Sequence, residues 1–587
     1  MGRKKEKKIE YEPSEYQKNI YDFVEHNVGN LVVEASAGAG KTSTLLEVLK
    51  RLPSNKKILF CAFNKDIVKE IDKKVDKNIK NVDIRTIHSL GLLIIQRNLK
   101  LENIIPNENK YKQFIYNNIN EITSIDYESL SYKDKSKYID NICKLIDYSR
   151  YNLAETEKDI KVLIERYDID ILGDEINITI DMLNWGKNYL EEIDFTDMIW
   201  LPNVLYLKPL GLQYDYILLD ESQDVSSAQR ELILKCRKIN TRMFSFGDNF
   251  QCIYSFASAD PESFNKLKSL PNTSVLPLSI SYRCPKNIVR FAQTLVPSIE
   301  FNELNPIEGE VKYNVKLDEV QDGDMVLCRN NAPLMKVYSD FIRLGKKCKI
   351  RGKDIGLNLK NLVKSIKQKE LNVSLEKDGL FARLYLSLFN DRDKLMNESG
   401  LDKKTVMSNS KIMSKLDTIK ALEVLSEGIN TSEELIENIN NIFSDKKIDG
   451  ISLSTIHKAK GLEANNVFIV CPSLMPCKSA TKNWEIEQEK NLMYVAYTRA
   501  KNTLSFIDES EFKDFTDVST EPLNKIEAQI NKLFNLEKLK HTSNHKNTLI
   551  EISKIKKPTI GTSIVLGNVK KKNNKSLLIK NNKKKNR

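Results

Sequence analysis

Three features of this 587-residue chain predict an α/β fold built on parallel sheets. An apolar run, Leu31-Val32-Val33, leads into Ala35-Ser36-Ala37-Gly38-Ala39-Gly40-Lys41-Thr42, and that loop opens a helical pattern through Leu45, Leu46 and Leu49. A second apolar run, Tyr216-Ile217-Leu218-Leu219, stops on Asp220-Glu221-Ser222-Gln223-Asp224. Strand-length apolar runs recur at 58–62, 324–329, 466–470 and 504–507, with helical spacing between them. Short continuous apolar strands alternating with helices suit a sheet covered on both faces. The length calls for several domains rather than one core.

The first loop has the chemistry of a phosphate cradle. Small residues let backbone N–H groups wrap a polyphosphate, the helix start adds its positive end, and Lys41 reaches the outer phosphates. The binding stretch is expected to run from Ala35 through Thr42 to Ser43. Thr42 offers a hydroxyl to Mg²⁺. Asp220 is placed to hold the metal, and Glu221 to orient or deprotonate an attacking water. Both elements sit at the carboxyl ends of apolar strands, where such sheets bind ligands. ATP and Mg²⁺ are the expected cofactors.

Composition narrows the setting. With 41% hydrophobic and 29% charged residues the chain is an ordinary globular protein, and no run approaches the ~20 apolar residues of a membrane span. No membrane partner is expected. The nine cysteines are scattered without a CxxC pair, which suits reduced thiols inside a cell and offers no metal cluster. Net charge is +12, but residues 540–587 hold fourteen Lys or Arg against the single acid Glu551, a local +13 that leaves the rest at −1. Such a tail is expected to be disordered and drawn to phosphate backbones, with a solvated end or an import signal as the other readings.

Further motifs follow in a fixed order. Gln17 lies in a helix entry, 58–62 leads into Phe63-Asn64-Lys65, and Asp83-Ile84-Arg85 leads into Thr86-Ile87-His88-Ser89. Then come Phe246-Gly247-Asp248-Asn249-Phe250-Gln251, Ser281-Tyr282-Arg283, Ser454-Thr455-Ile456-His457-Lys458-Ala459-Lys460-Gly461-Leu462-Glu463 and Tyr494-Val495-Ala496-Tyr497-Thr498-Arg499-Ala500. Over about residues 9 to 508 the chain resembles a superfamily 1 helicase of the UvrD-like, 3′→5′ group. The Ala-Phe-Asn-Lys turn and short length look nearest to the F-box DNA helicase branch, with no F-box segment ahead of the motor.

The resemblance implies two RecA-like motor lobes closing on ATP, and single-stranded or tailed duplex DNA as the partner. By it, Gln17 reads the adenine edge, Tyr282 stacks on its face, Gln251 senses the γ-phosphate, and Arg283 and Arg499 are arginine fingers beside the catalytic Glu221. Glu463 stands near the ribose. Phe63, Thr86, His88, Phe256, Thr455 and His457 stand at or beside strand-contact positions. Phe256 replaces the tryptophan of many relatives and Ala257 a frequent arginine.

The expected organisation is lobe 1 from 1–95 and 196–275 around a helical insert, 96–195. Lobe 2 spans 276–365 and 446–510 around a short helical insert, 366–445, and an extension, 511–587, follows. The expected activity is ATP-dependent unwinding of DNA in replication, repair or recombination. The alternative is a translocase that strips proteins from single strands and unwinds little.

Overall fold

The computed structural model describes residues 12–62, 65–75, 81–100, 105–130, 132–253, 260, 262–443, 450–516 and 523–534. Contacts divide the chain into a large unit, Met1–Glu527, and a small one, Ala528–Arg587. Everything below concerns the large unit; the basic tail lies outside the described residues.

Strands β1 (Asn30–Ala35), β2 (Ile58–Ala62), β3 (Val82–Thr86), β4 (Tyr214–Leu219), β5 (Arg237–Gly247) and β6 (Thr273–Leu278) form an all-parallel sheet in the order β3-β2-β4-β5-β1-β6. Both faces are covered, which explains the unbroken apolar runs. Leu31 and Val33 enter a core shared with the Glu15–His26 and Lys41–Arg51 helices. Val32 points to the other layer, against Ile94, Leu219 and Leu232. β6 pairs with β1 as far as Leu278, so the first sheet runs past residue 275.

The chain then crosses through a small pair, β7 (Ile280–Ser281) and β8 (Glu300–Phe301), into a second sheet. Its strands are β9 (Glu310–Val315), β10 (Met325–Cys328), β11 (Cys348–Ile350), β12 (Ile451–Thr455), β13 (Ala464–Val470) and β14 (Ala500–Ile507). They are parallel and ordered β11-β12-β10-β13-β14-β9. The fold is therefore two parallel-sheet α/β lobes.

Each lobe carries a helical insert. Between β3 and β4, Ile142 and Ile146 of the Tyr132–Asn152 helix share a core with Ile178, Leu183 and Trp200. Beneath it Arg150, fully buried, donates to Asp194 (2.7 Å) and Asp197 (2.8 Å), and Lys110 donates to Asp197 (2.7 Å). Buried charges require such pairing. The second insert lies between β11 and β12. Its Ser410–Leu425 helix presents the Asp417 carboxylate to the backbone N–H groups of Asn331 and Ala332 (3.0 Å each), capping the Asn331–Arg343 helix of the second lobe. No helix among the described residues is long and apolar enough to cross a membrane.

Candidate nucleotide and DNA site

The loop after β1 turns through Gly38 (φ 73°) and Gly40 (φ 82°), both left-handed. A Cβ on Gly38 would lie 2.5 Å from the Cβ of Arg283 and 2.8 Å from the Ser281 hydroxyl, so only glycine lets the loop pass under the inter-lobe crossing. The Lys41–Arg51 helix has no side-chain cap, which leaves first-turn amides for an anion.

Acids at the end of β4 face this loop. Glu221 adopts φ 49° and ψ 43°, a left-handed conformation uncommon outside glycine and typical of functional sites. Its carboxylate sits 3.1 Å from the Lys41 ammonium, and the Thr42 hydroxyl donates to Asp220 at 3.4 Å. Burial and the neighbouring Glu221 charge raise the Asp220 carboxyl. Burial also pushes Glu221 upward, but Lys41 and Lys460 together outweigh it and hold Glu221 low. Glu221 is thus the ionised member. Among the described residues no cluster of three His, Cys, Asp or Glu could hold a metal alone. The hydroxyl–carboxylate pair is an all-oxygen donor set of the kind that shares Mg²⁺ with nucleotide phosphates.

The second lobe reaches into this cleft. Lys460 pairs with Asp224 and donates to the Gln251 carbonyl (2.7 Å). Gln251 donates its amide to Asp248 (2.6 Å) and accepts from Arg499 (3.3 Å). Arg499 is 1% exposed and also donates to Val495 O (2.8 Å), Leu462 O (3.1 Å) and the Thr498 hydroxyl (3.1 Å). None of these four partners is a carboxylate. Burial, reinforced by the Arg283 charge, pushes its pKa down to about 9.

Other expected nucleotide residues are engaged with protein groups. Gln17 is fully buried; it accepts from Ser14 N (3.0 Å) in a capping box and donates to the Thr44 hydroxyl (3.0 Å). Its amide ties the first helix to the phosphate-loop helix. Arg283 pairs with Glu463 (2.7 Å), which Lys501 also holds, so Glu463 is turned toward two cations. Tyr282 lies half-buried, with its N–H on the Gly38 carbonyl (2.9 Å).

Of the expected strand-contact residues, Thr86 ends β3 and Thr455 ends β12, and each is followed by Ile-His. Both threonines are buried, and Thr86 caps the following helix by accepting from Ser89 N (3.2 Å). His88 is half-buried and its pKa is lowered by burial. Burial, with Arg329 and Lys458 adding repulsion, pushes His457 down to about 3. Both rings are neutral donor–acceptors near pH 7. Phe63, Phe256 and Ala257 lie outside the described residues. Sequence reasoning assigned no role to Lys460 or Phe195. Phe195 is 40% exposed and edge-on to His88 at 6.4 Å. Its only local signal is an aromatic ring just after the capping Asp194.

Two family models match the chain. The UvrD/REP helicase N-terminal domain matches residues 16–272, and the UvrD-like helicase C-terminal domain matches residues 357–511. The chain belongs to the UvrD-like helicase family. Its relatives in that family include the ATP-dependent DNA helicase Rep of Buchnera aphidicola, 24% identical over 84% of this chain and 94% of that protein. Another is the ATP-dependent DNA helicase PcrA of Bacillus subtilis, 23% identical over 88% and 86%. The F-box DNA helicase protein 1 of Schizosaccharomyces pombe is 26% identical over 81% of this chain and 55% of its own length. The first match stops at residue 272, before β6, and the second starts at residue 357, after β11, so Ser281, Tyr282 and Arg283 lie between the two matched spans.

Proposed function

We propose that this protein is an ATP-dependent DNA helicase that moves 3′→5′ along single-stranded DNA and separates duplex ahead of it. The observation that carries the reading is the reach of second-lobe cations, Lys460 and Arg499, to the first-lobe groups Asp224 and Gln251. Positive charge is complete at the phosphate site only when the lobes meet, so turnover follows closure. Thr42 and Asp220 would hold Mg²⁺, which neutralises phosphate charge. Lys41 grips the outer phosphates, and ionised Glu221 orients the attacking water. Gln251, between Asp248 and Arg499, is positioned to register the terminal phosphate. The paired Thr-Ile-His turns give each lobe its own grip on the strand, so closure shifts one grip relative to the other.

The test is strand separation with ATP and Mg²⁺ on 3′-tailed, 5′-tailed and blunt duplexes, once with DNA and once with RNA. Unwinding confined to 3′-tailed DNA is expected. Unwinding from 5′ tails overturns the polarity, and RNA-selective unwinding overturns the substrate. Displacement of a strand-bound protein with little unwinding would establish the translocase alternative.

A further inference from the structure

Three alanines of the phosphate loop divide between the lobes. Ala35 and Ala39 pack into the first-lobe core, whereas Ala37, fully buried, belongs to the second-lobe core with Cys284, Ile288, Tyr494 and Val495. Both polar groups of Ala37 are taken by residues beyond the first sheet. Its N–H donates to the Tyr494 hydroxyl (3.0 Å), and its carbonyl accepts from the Ser281 hydroxyl (2.8 Å). Ser281 lies on the crossing between lobes, and Tyr494 on the Asn483–Tyr497 helix.

That helix and the residues just after it make three contacts around the phosphate loop and Gln251. Asn491 donates to Cys252 O (3.1 Å), Tyr494 accepts from Ala37, and Arg499, just past the helix end, donates to Gln251. Asn491 and Tyr494 lie three apart on the helix, and Arg499 follows where the chain leaves it for β14. The Tyr494 ring also meets Phe250 edge-on at 6.3 Å, next to Gln251. One segment of the second lobe, Asn491 to Arg499, therefore touches the phosphate loop and the expected γ-phosphate sensor together.

The geometry points to Tyr494 as a positioning residue that couples lobe closure to the phosphate loop, an inference that rests on the motor reading above. With the lobes together, the Ala37 N–H is buried and has the Tyr494 oxygen as its acceptor. With the lobes apart, water can take that place. Removing the hydroxyl therefore penalises the closed state alone, because only there is the amide both buried and unpaired. Nucleotide binding to the first lobe does not need the hydroxyl; turnover, which needs closure, does.

The test is Tyr494→Phe in the full chain, which keeps the ring against Phe250 and deletes one oxygen. Expected is a fall of about tenfold in DNA-stimulated kcat, the scale of one buried hydrogen bond present in one of two states. KM for ATP, and the affinity for a fluorescent ATP analogue without DNA, should stay within about twofold. Unchanged kcat, or equal losses in kcat and analogue affinity, overturns the inference. Should the Phe variant lose its cooperative melt, Ser281→Ala replaces it: that change frees the Ala37 carbonyl from the crossing and should give the same split. A wild-type protein lacking DNA-stimulated hydrolysis would sink the motor reading itself. Normal stimulation with an unaltered variant would sink this inference alone.

Discussion

Replacing Arg499 by alanine separates chemistry from folding. The guanidinium makes four hydrogen bonds to neutral oxygens, at 2.8, 3.1, 3.1 and 3.3 Å. Losing them costs about 4 kcal/mol at ~1 kcal/mol each. Burying a cation without a carboxylate costs several kcal/mol, and that penalty also disappears. The two terms oppose and are similar in size, so the melting midpoint should move by no more than a few degrees. Turnover is different. The missing counter-charge is what a transferring phosphoryl group supplies, so kcat should fall by roughly 10³, about 4 kcal/mol of transition-state stabilisation. ATP affinity should change only a few-fold. Arg499→Lys should not rescue, since an ammonium cannot span Gln251 and two carbonyls. The assays are DNA-stimulated phosphate release, equilibrium nucleotide binding and a thermal melt. Turnover within tenfold of wild type would pass the role to Arg283, and a collapse of the melt would make Arg499 a structural residue.

Lys41→Ala should weaken nucleotide binding and abolish hydrolysis, whereas Glu221→Gln should bind ATP and stall; equal binding loss in both, by fluorescence titration, contradicts these roles. His457 is held near 3 against an ordinary value near 6.5, so the unfolded chain takes up the extra proton. Its contribution therefore makes stability fall as pH drops from about 6.5 toward 3, and His457→Gln should flatten that part of a denaturation–pH curve. Because His88 and His457 are neutral, replacing either with alanine should weaken DNA binding without changing its salt slope. Deleting residues 540–587 should lower that slope by about 0.7 for each phosphate the tail neutralises on a single strand, while hydrolysis at saturating DNA stays near wild type.

Strands β1, β2, β4, β10, β13 and β14 were legible as short apolar runs and the phosphate loop as small residues after the first of them, whereas β9 (Glu310–Val315) and β11 (Cys348–Ile350), which alternate polar and apolar residues, carried no such signal. Thr42 and Asp220 follow from the same runs. What the sequence does not carry is who meets whom across the cleft. Ala37 and Tyr494 are 457 positions apart, and Arg499 and Gln251 are 248 apart. Nothing local to Arg499 announces complete burial among carbonyls. Gln17 was expected at a helix entry and is there, but its capping role requires knowing that Ser14 lies beneath it and Thr44 alongside. Likewise Glu463 was expected near a ribose, while Arg283 and Lys501 claim its carboxylate in this structure.

The Asp417 cap changes what the second insert can be mechanically. A half-buried carboxylate bonded to two backbone amides fastens the insert to the start of a helix in its lobe. Torque applied to the insert by an approaching duplex passes directly into the Asn331–Arg343 helix and the β10 strand that precedes it. The insert thus extends the reach of its lobe through that helix. The same insert reaches the first one through Lys411 on the Asp168 carbonyl (2.8 Å) and Lys394 beside Asp134 (3.5 Å), so a load on either insert is felt by both lobes.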